Sequence, residues 1–191
     1  MKKKLAATLS GCAVVLLTQA ACGGGDNSEE RDTWARNFCA DIRPQVERIQ
    51  ESFTAIAEVS QGSRPAEEVR EANAAAYGEL SEAYAGLASV VNDAGDPPVD
   101  NGQELRENAA GALTELSESF TALREDMEAL DTSDQTAFAD QLREFAPRLE
   151  QLGENGSEAL GELQTGDLGE SLRRQEGCRN ASAAPSPEPD A

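Results

Sequence analysis

The sequence predicts an all-α fold: an antiparallel four-helix bundle closed by one disulfide, with a flexible N-terminal tether and a disordered C-terminal tail. Three observations predict it. Apolar residues recur at steps of three and four through four successive stretches. Breaker-rich joints separate those stretches. Runs of β-branched residues that would argue for strands are few, and no internal repeat argues for a solenoid.

The first stretch carries Trp34, Phe38, Ile42, Val46, Ile49, Phe53 and Ile56 on a single apolar stripe. Asp32 or Thr33 is placed to cap its start. Gln61-Gly62-Ser63 ends it, and Ser63 offers the next cap, with Pro65 in the following first turn. The second stretch carries Val69, Ala76, Tyr77, Leu80, Ala83, Tyr84, Leu87 and Val91. Its alanines make a thin stripe that can approach neighbours closely. Asn92 to Gly102 is dense in breakers and reads as a loop.

The third stretch is the most regular. Leu105, Ala109, Leu113, Leu116, Phe120, Leu123, Met127 and Leu130 alternate steps of four and three, the spacing of a coiled-coil seam. Asp131 to Asp134 closes it and supplies the next cap, with Gln135 as capping-box partner of Thr132. The fourth stretch carries Phe138, Leu142, Phe145, Leu149 and Leu152. Pro147 removes a backbone donor there and predicts a kink. Gly153 and Asn155-Gly156 are expected to interrupt the helix before Leu160 and Leu163, and Leu168 and Leu172 suit a short last turn.

In an up-down-up-down bundle the start of the first helix and the end of the fourth lie at one end. Cys39 is near the first point and Cys178 just past the second. In an oxidising compartment the pair reads as a disulfide. The expected division is residues 1–21 signal, 22–33 tether, 34–179 helical domain and 180–191 tail. The tail is almost wholly Ala, Ser, Pro, Asp and Glu, with nothing to bury.

The N-terminus carries the localisation signal. Lys2, Lys3 and Lys4 precede an uncharged run, Leu5 to Ala21, which ends in Ala20-Ala21-Cys22 and then three glycines. This order is that of an export signal. It resembles a bacterial lipoprotein signal peptide, which implies a diacylglyceryl group on the Cys22 sulfur and cleavage that makes Cys22 the new N-terminus. Gln19 departs from that family's pattern, where Leu is usual. Leu9-Ser10-Gly11-Cys12 matches letter by letter, but only five residues separate Lys4 from Ser10, short against an apolar region of roughly 7–15 residues. Two other readings stand beside lipidation. One is secretion with cleavage after Ala20. The other is an uncleaved anchor, although spanning takes about 20 predominantly apolar residues and this run contains Thr8, Ser10, Thr18 and Gln19. Two acyl chains anchor stably where one does not.

Removal of residues 1–21 leaves 170 residues, enough for one helical core. All three lysines leave with the signal. The remainder holds 13 arginines against 36 acidic residues, a net charge of −23. That balance argues against nucleic acid, whose binding rests on basic contacts to phosphate. It also argues against a peripheral grip on anionic lipid, and it attracts cations and basic partners. Lysine absence beside abundant Ala, Gly, Glu and Arg, with the Cys-Gly-Gly-Gly start, resembles the small secreted proteins and lipoproteins of actinobacteria. The resemblance implies the outer face of the cell membrane, or secretion, and no particular activity.

Chemistry is sparse. The chain has no histidine, which removes Ser-His and Cys-His activation and the commonest zinc ligand. Asp93, Asp96 and Asp100 crowd one loop, a calcium-like set of oxygens whose spacing matches no known calcium loop; a polar turn is the plainer reading. No metal or cofactor is expected. Tyr77 and Tyr84, seven apart on one face, could line a small-molecule pocket or fill the rim of the core. Glu67, Glu68, Glu71, Glu115 and Glu118 lie off the apolar stripes, and Arg43/Glu47 and Glu144/Arg148 stand at ion-pair spacing. The expected function is a non-enzymatic cell-envelope module that binds or scaffolds a basic or apolar protein partner. The alternative is a carrier of an apolar small molecule or lipid in the interior, with room left by Gly78, Gly86, Gly111 and Gly161.

Overall fold

A computed structural model of the chain describes residues 27–60 and 64–181. The signal segment, Cys12, Cys22, the first part of the tether, the Gln61-Gly62-Ser63 joint and the tail from residue 182 lie outside the described residues. Every regular element described is helical: α1 (Ser28–Ser60), α2 (Ala66–Asp93), α3 (Gly102–Glu128), α4 (Gln135–Leu142), α5 (Phe145–Gly161), a 3-10 turn (Glu162–Gln164), α6 (Gly166–Arg174) and α7 (Glu176–Ala181).

The three long helices follow the three apolar stripes. At 1.5 Å per residue, α1 is roughly 50 Å long and α2 and α3 roughly 40 Å. α2 packs against both α1 and α3, whose backbones do not approach each other closely. Its alanine-rich face explains the fit: Ala76, Ala83 and Ala88 are buried between the larger Tyr77, Leu80, Tyr84 and Leu87. The α3 seam supplies Ala109, Leu113, Leu116, Phe120, Leu123 and Met127, all buried, with Leu105 and Leu130 packed at its ends. A hydroxyl ladder joins the same two helices, with the Ser81 hydroxyl 2.8 Å from that of Thr121 and 3.3 Å from that of Ser117. Arg48 ties α1 to α2 by donating to Glu79 at 2.7 Å and Glu82 at 2.9 Å.

The fourth stretch departs from the expected single kinked helix. Its break falls at the Arg143-Glu144 turn, before Pro147 rather than at it. In a continuous helix the proline ring would strike the carbonyl four residues back, at Arg143. The break leaves Pro147 in the first turn of α5, where a missing N–H costs no intrahelical bond. α5 then runs unbroken through Gly153 and Asn155-Gly156, contrary to the interruption expected there. The stretch also divides its packing: α5 lies on α3, whereas α6 and α7 lie on α1. At the α4 end a smaller core joins Phe138 to Val59, Ala66 and Val69.

Three caps differ from the expected ones. α1 begins at Ser28, so Asp32 and Thr33 are interior and residues 28–33 are helix rather than tether. Pro65 precedes α2 instead of lying in its first turn. Asp134, not Thr132, caps α4, accepting from Thr136 N at 2.9 Å and Ala137 N at 3.0 Å. That placement turns Gln135 toward α2, where its carbonyl accepts from Ala66 N at 3.2 Å. At the other end of α2, the Trp34 indole N–H donates to the Ala94 carbonyl at 3.0 Å, satisfying a helix-end acceptor that the helix itself leaves open.

Cys39 in α1 and Cys178 in α7 form a disulfide with their Cα atoms 5.1 Å apart, closing 139 residues. Beside it, Arg174 of α6 donates to Asp32 of α1 at 2.5 Å and to the buried Ser171 hydroxyl at 2.9 Å. The Arg174 bond, with help from Ser171, holds the Asp32 carboxyl below its ordinary range. Gly177 lets α7 approach: a Cβ there would lie 2.5 Å from the Cys39 carbonyl oxygen.

Cys39→Ser is expected to destabilise the fold by roughly 2–5 kcal/mol, read as a lowered urea midpoint without reductant. Gly177→Ala should shift the midpoint in the same direction. An unchanged midpoint in Cys39→Ser would show that the bridge does not contribute to stability.

Candidate functional site

Tyr77 and Tyr84 are core residues, 1% and 7% exposed. Tyr77 stacks on Phe145 of α5 with ring centres 6.2 Å apart, and Tyr84 on Phe120 of α3 at 5.4 Å. Burial pushes both phenols from 10.0 up to about 12, with Arg148 opposing the rise at Tyr77. Neither ring lines the two surface concavities described below. The glycines expected to leave interior room do not do so together. Gly86 is covered by the Gln45 side chain and Gly78 by that of Arg124, whereas Gly111 and Gly161 have nothing near them.

The aspartate loop is held by an arginine. Arg106 Nε donates to Asp96 at 2.6 Å, and its Nη1 donates to the Asn92 side-chain carbonyl at 2.9 Å. Among the described residues no three His, Cys, Asp or Glu side chains converge as a metal site would require. Arg43 and Glu47 pair at 3.7 Å. The expected Glu144/Arg148 pair is replaced by a longer-range one: Arg148 reaches Asp126 of α3 at 2.8 Å while lying over the Phe145 ring. Carboxylates with a resolved shift, Asp32 and Asp131, move down, Asp131 through the backbone bond from Ser133. A general acid needs the opposite direction.

Among the described residues, two concavities differ in their lining chemistry. One, of about 480 Å³, is a broad shelf lined by Glu29, Glu30, Thr33, Trp34, Asn37, Asp96 and Pro98. Its carboxylates have local reasons to be there: Glu29 and Glu30 stand in the first turn of α1, where the helix dipole favours negative charge, and Asp96 binds Arg106.

The other, of about 320 Å³, is a groove between α3 and α5. α3 gives Asn108, Ala112, Glu115, Leu116 and Ser119, which recur at helical spacing along one face. α5 and the 3-10 turn give Asn155, Glu158 and Glu162. The buried Leu116 makes the floor. Beneath it, Gly156 permits close contact, since a Cβ there would lie 3.3 Å from the Tyr84 hydroxyl and 3.6 Å from Leu116 Cδ1. Among the described residues, Glu115, Glu158 and Glu162 form no ion pair with an arginine, while nine arginines pair with carboxylates elsewhere.

Sequence reading placed Glu115 on a solvated face and did not single out Asn108, Glu158 or Glu162. A signal was present. Glu150, Glu154, Glu158 and Glu162 repeat at four-residue intervals, and no basic residue occurs between Arg148 and Arg173. Like charges at that spacing oppose the helix they sit on.

No helix among the described residues is long and apolar enough to cross a membrane. No protein-family model matches this chain, and no match emerges from curated proteins or from solved structures.

The buried phenols generate a pH prediction. With the folded value near 12 and the unfolded value near 10, the unfolded chain loses its phenolic protons first. Stability is therefore full below pH 10 and falls as pH rises toward 12. At pH 11 each tyrosine should remove about 1.4 kcal/mol, seen as a lower urea midpoint than at pH 9. Absorbance titration should show both phenols ionising only as the fold is lost; ionisation near pH 10 in the folded protein would refute their burial.

Proposed function

We propose that this chain is an exported, lipid-anchored protein of the outer cell-membrane face, acting as a non-enzymatic module that binds or scaffolds a basic partner. In this reading the chain folds as an antiparallel four-helix bundle in which α4 to α7 together supply the fourth rod. The resemblance of its N-terminus to lipoprotein signals and of its composition to actinobacterial exported proteins supports the placement. The observation that carries it is the Cys39–Cys178 disulfide, because such bonds persist in oxidising compartments and are rare where thiols are kept reduced.

Binding rather than catalysis is favoured by the state of the ionisable groups. Glu67, Glu68, Glu71, Glu115 and Glu118 are exposed. Carboxylates that shift do so toward the charged form. The core is filled by side chains such as Leu80, Leu113, Phe120 and Met127, each fully buried. A strongly acidic surface recruits basic partners through its long-range field and repels anionic ones.

The test is fractionation of the native host's cells. Wild-type protein should sit in the membrane fraction with a mass that begins at Cys22 and includes acyl chains. Cys22→Ala should appear in the medium or stay uncut. Normal processing with unchanged membrane retention in Cys22→Ala would overturn the lipid anchor.

A further inference from the structure

We infer that the Cys39–Cys178 bond is a redox-operated latch: its reduction frees α6 and α7 from α1 while the three long helices and α5 stay folded. The inference goes beyond the reading above and stands with or without the lipid anchor. It starts from how little else holds the segment. α6 and α7 have nine and six residues, too few to persist as helices without tertiary contacts. Leu168 and Leu172 are the large side chains that α6 buries. The segment's ion pairs to α1, Arg174 with Asp32 and Arg31 with Asp167 at 3.5 Å, reach solvent, where such pairs contribute little. A hinge stands at its start. Thr165 is extended, and Gly166 takes a φ of 56°, in the left-handed region that glycine enters freely. The segment can swing there as a unit without straining the 3-10 turn or α5.

The two cysteines differ in access. Cys39 is 1% exposed, whereas Cys178 is half-buried on the six-residue α7. The reductant is a dithiol, the class carried by Cys-x-x-Cys thiol–disulfide oxidoreductases. One of its thiolates attacks the Cys178 sulfur. A bond forms between reductant and Cys178, the Cys39–Cys178 bond breaks, and Cys39 leaves as a thiolate that takes a proton from water. The reductant's second thiolate then attacks the reductant sulfur of the mixed disulfide, and Cys178 leaves and is protonated in turn. Two electrons have passed from the dithiol, now a disulfide, to the protein, now with two thiols. α7 is then no longer held in the close approach that Gly177 permits at the Cys39 carbonyl. Release uncovers the stretch of α1 that meets the segment through Arg31, Asp32 and Cys39.

The experiment is brief trypsin digestion of the purified mature protein, oxidised or held in dithiothreitol, with fragments mapped by mass. The sequence supplies the reporters. Arg173 and Arg174 lie in α6, no arginine or lysine lies between Arg148 and Arg173, and Arg48, Arg70 and Arg124 report on α1, α2 and α3. Cleavage after Arg173 and Arg174 should quicken about tenfold or more on reduction, while Arg48, Arg70 and Arg124 stay protected and most of the helical circular dichroism remains. The double variant Cys39→Ser, Cys178→Ser should show the same pattern without reductant, and dithiothreitol should change it no further. Brief exposure of the oxidised protein to glutathione, followed by acid quench, should place the first mixed disulfide on Cys178. Unchanged cleavage at Arg173 and Arg174 would show that non-covalent contacts suffice and overturn the latch. Equal acceleration at Arg48, Arg70 and Arg124 would mean that the whole fold opens and would also overturn it. A first adduct on Cys39 would overturn the order of attack. None of these outcomes bears on membrane fractionation, so the latch and the anchor fail separately.

Discussion

The covalent bond between Cys39 and Cys178 is the constraint on which the C-terminal third depends. α6 and α7 have nine and six residues, far below the length at which a helix is stable alone in water. They are held where they are because α7 is tied to α1 and because Leu168 and Leu172 enter the core beside it. The bond fastens the segment to one neighbour, α1. α5 stays with α3, while the chain after the 3-10 turn crosses to α1, where Asp32 and Arg174 meet. The polar clasp and the bridge therefore reinforce one register between α1 and the end of the chain.

Charge is distributed unevenly over this frame. Arginines are scarce in the folded part, and several of those described bridge helices or fasten loops: Arg48 between α1 and α2, Arg106 across the α2–α3 loop, Arg148 between α5 and α3, Arg174 between α6 and α1. Surface pairs of this kind contribute little stability one at a time. Their effect is local neutrality. The stretch from Leu149 to Leu172 contains no arginine at all, so the α3–α5 groove is left as a concentrated negative surface.

Much of the core was legible because its signal is local and periodic. Residues of the second and third stripes reappear as the buried faces of α2 and α3, and the cysteine pair followed from chain position. Errors arose where a residue's partner is distant in sequence. Asp32 reads as a cap until Arg174 is seen beside it, and Gln135 reads as a local capping-box partner until it reaches Ala66. Arg148 likewise prefers Asp126 over the nearer Glu144. Pro147 was informative about a break but not its side, because the clash acts four residues upstream. The tyrosines were placed correctly on one face of α2, yet their ring partners, Phe145 and Phe120, belong to two different helices. No sequence period encodes that choice. The groove needed both walls at once: Glu115 alone looks solvated, and only the fold sets it opposite Glu158 and Glu162.

α5 shows how tertiary packing can override local preference. Its glycines and its glutamate row both oppose the helix, yet it is continuous from Phe145 to Gly161. Phe145 stacked on Tyr77, Arg148 bound to Asp126, and Gly156 seated over Tyr84 and Leu116 supply the compensation, and all of them come from α2 and α3. α5 is therefore a helix held in place by its contacts with α2 and α3 rather than by its own sequence.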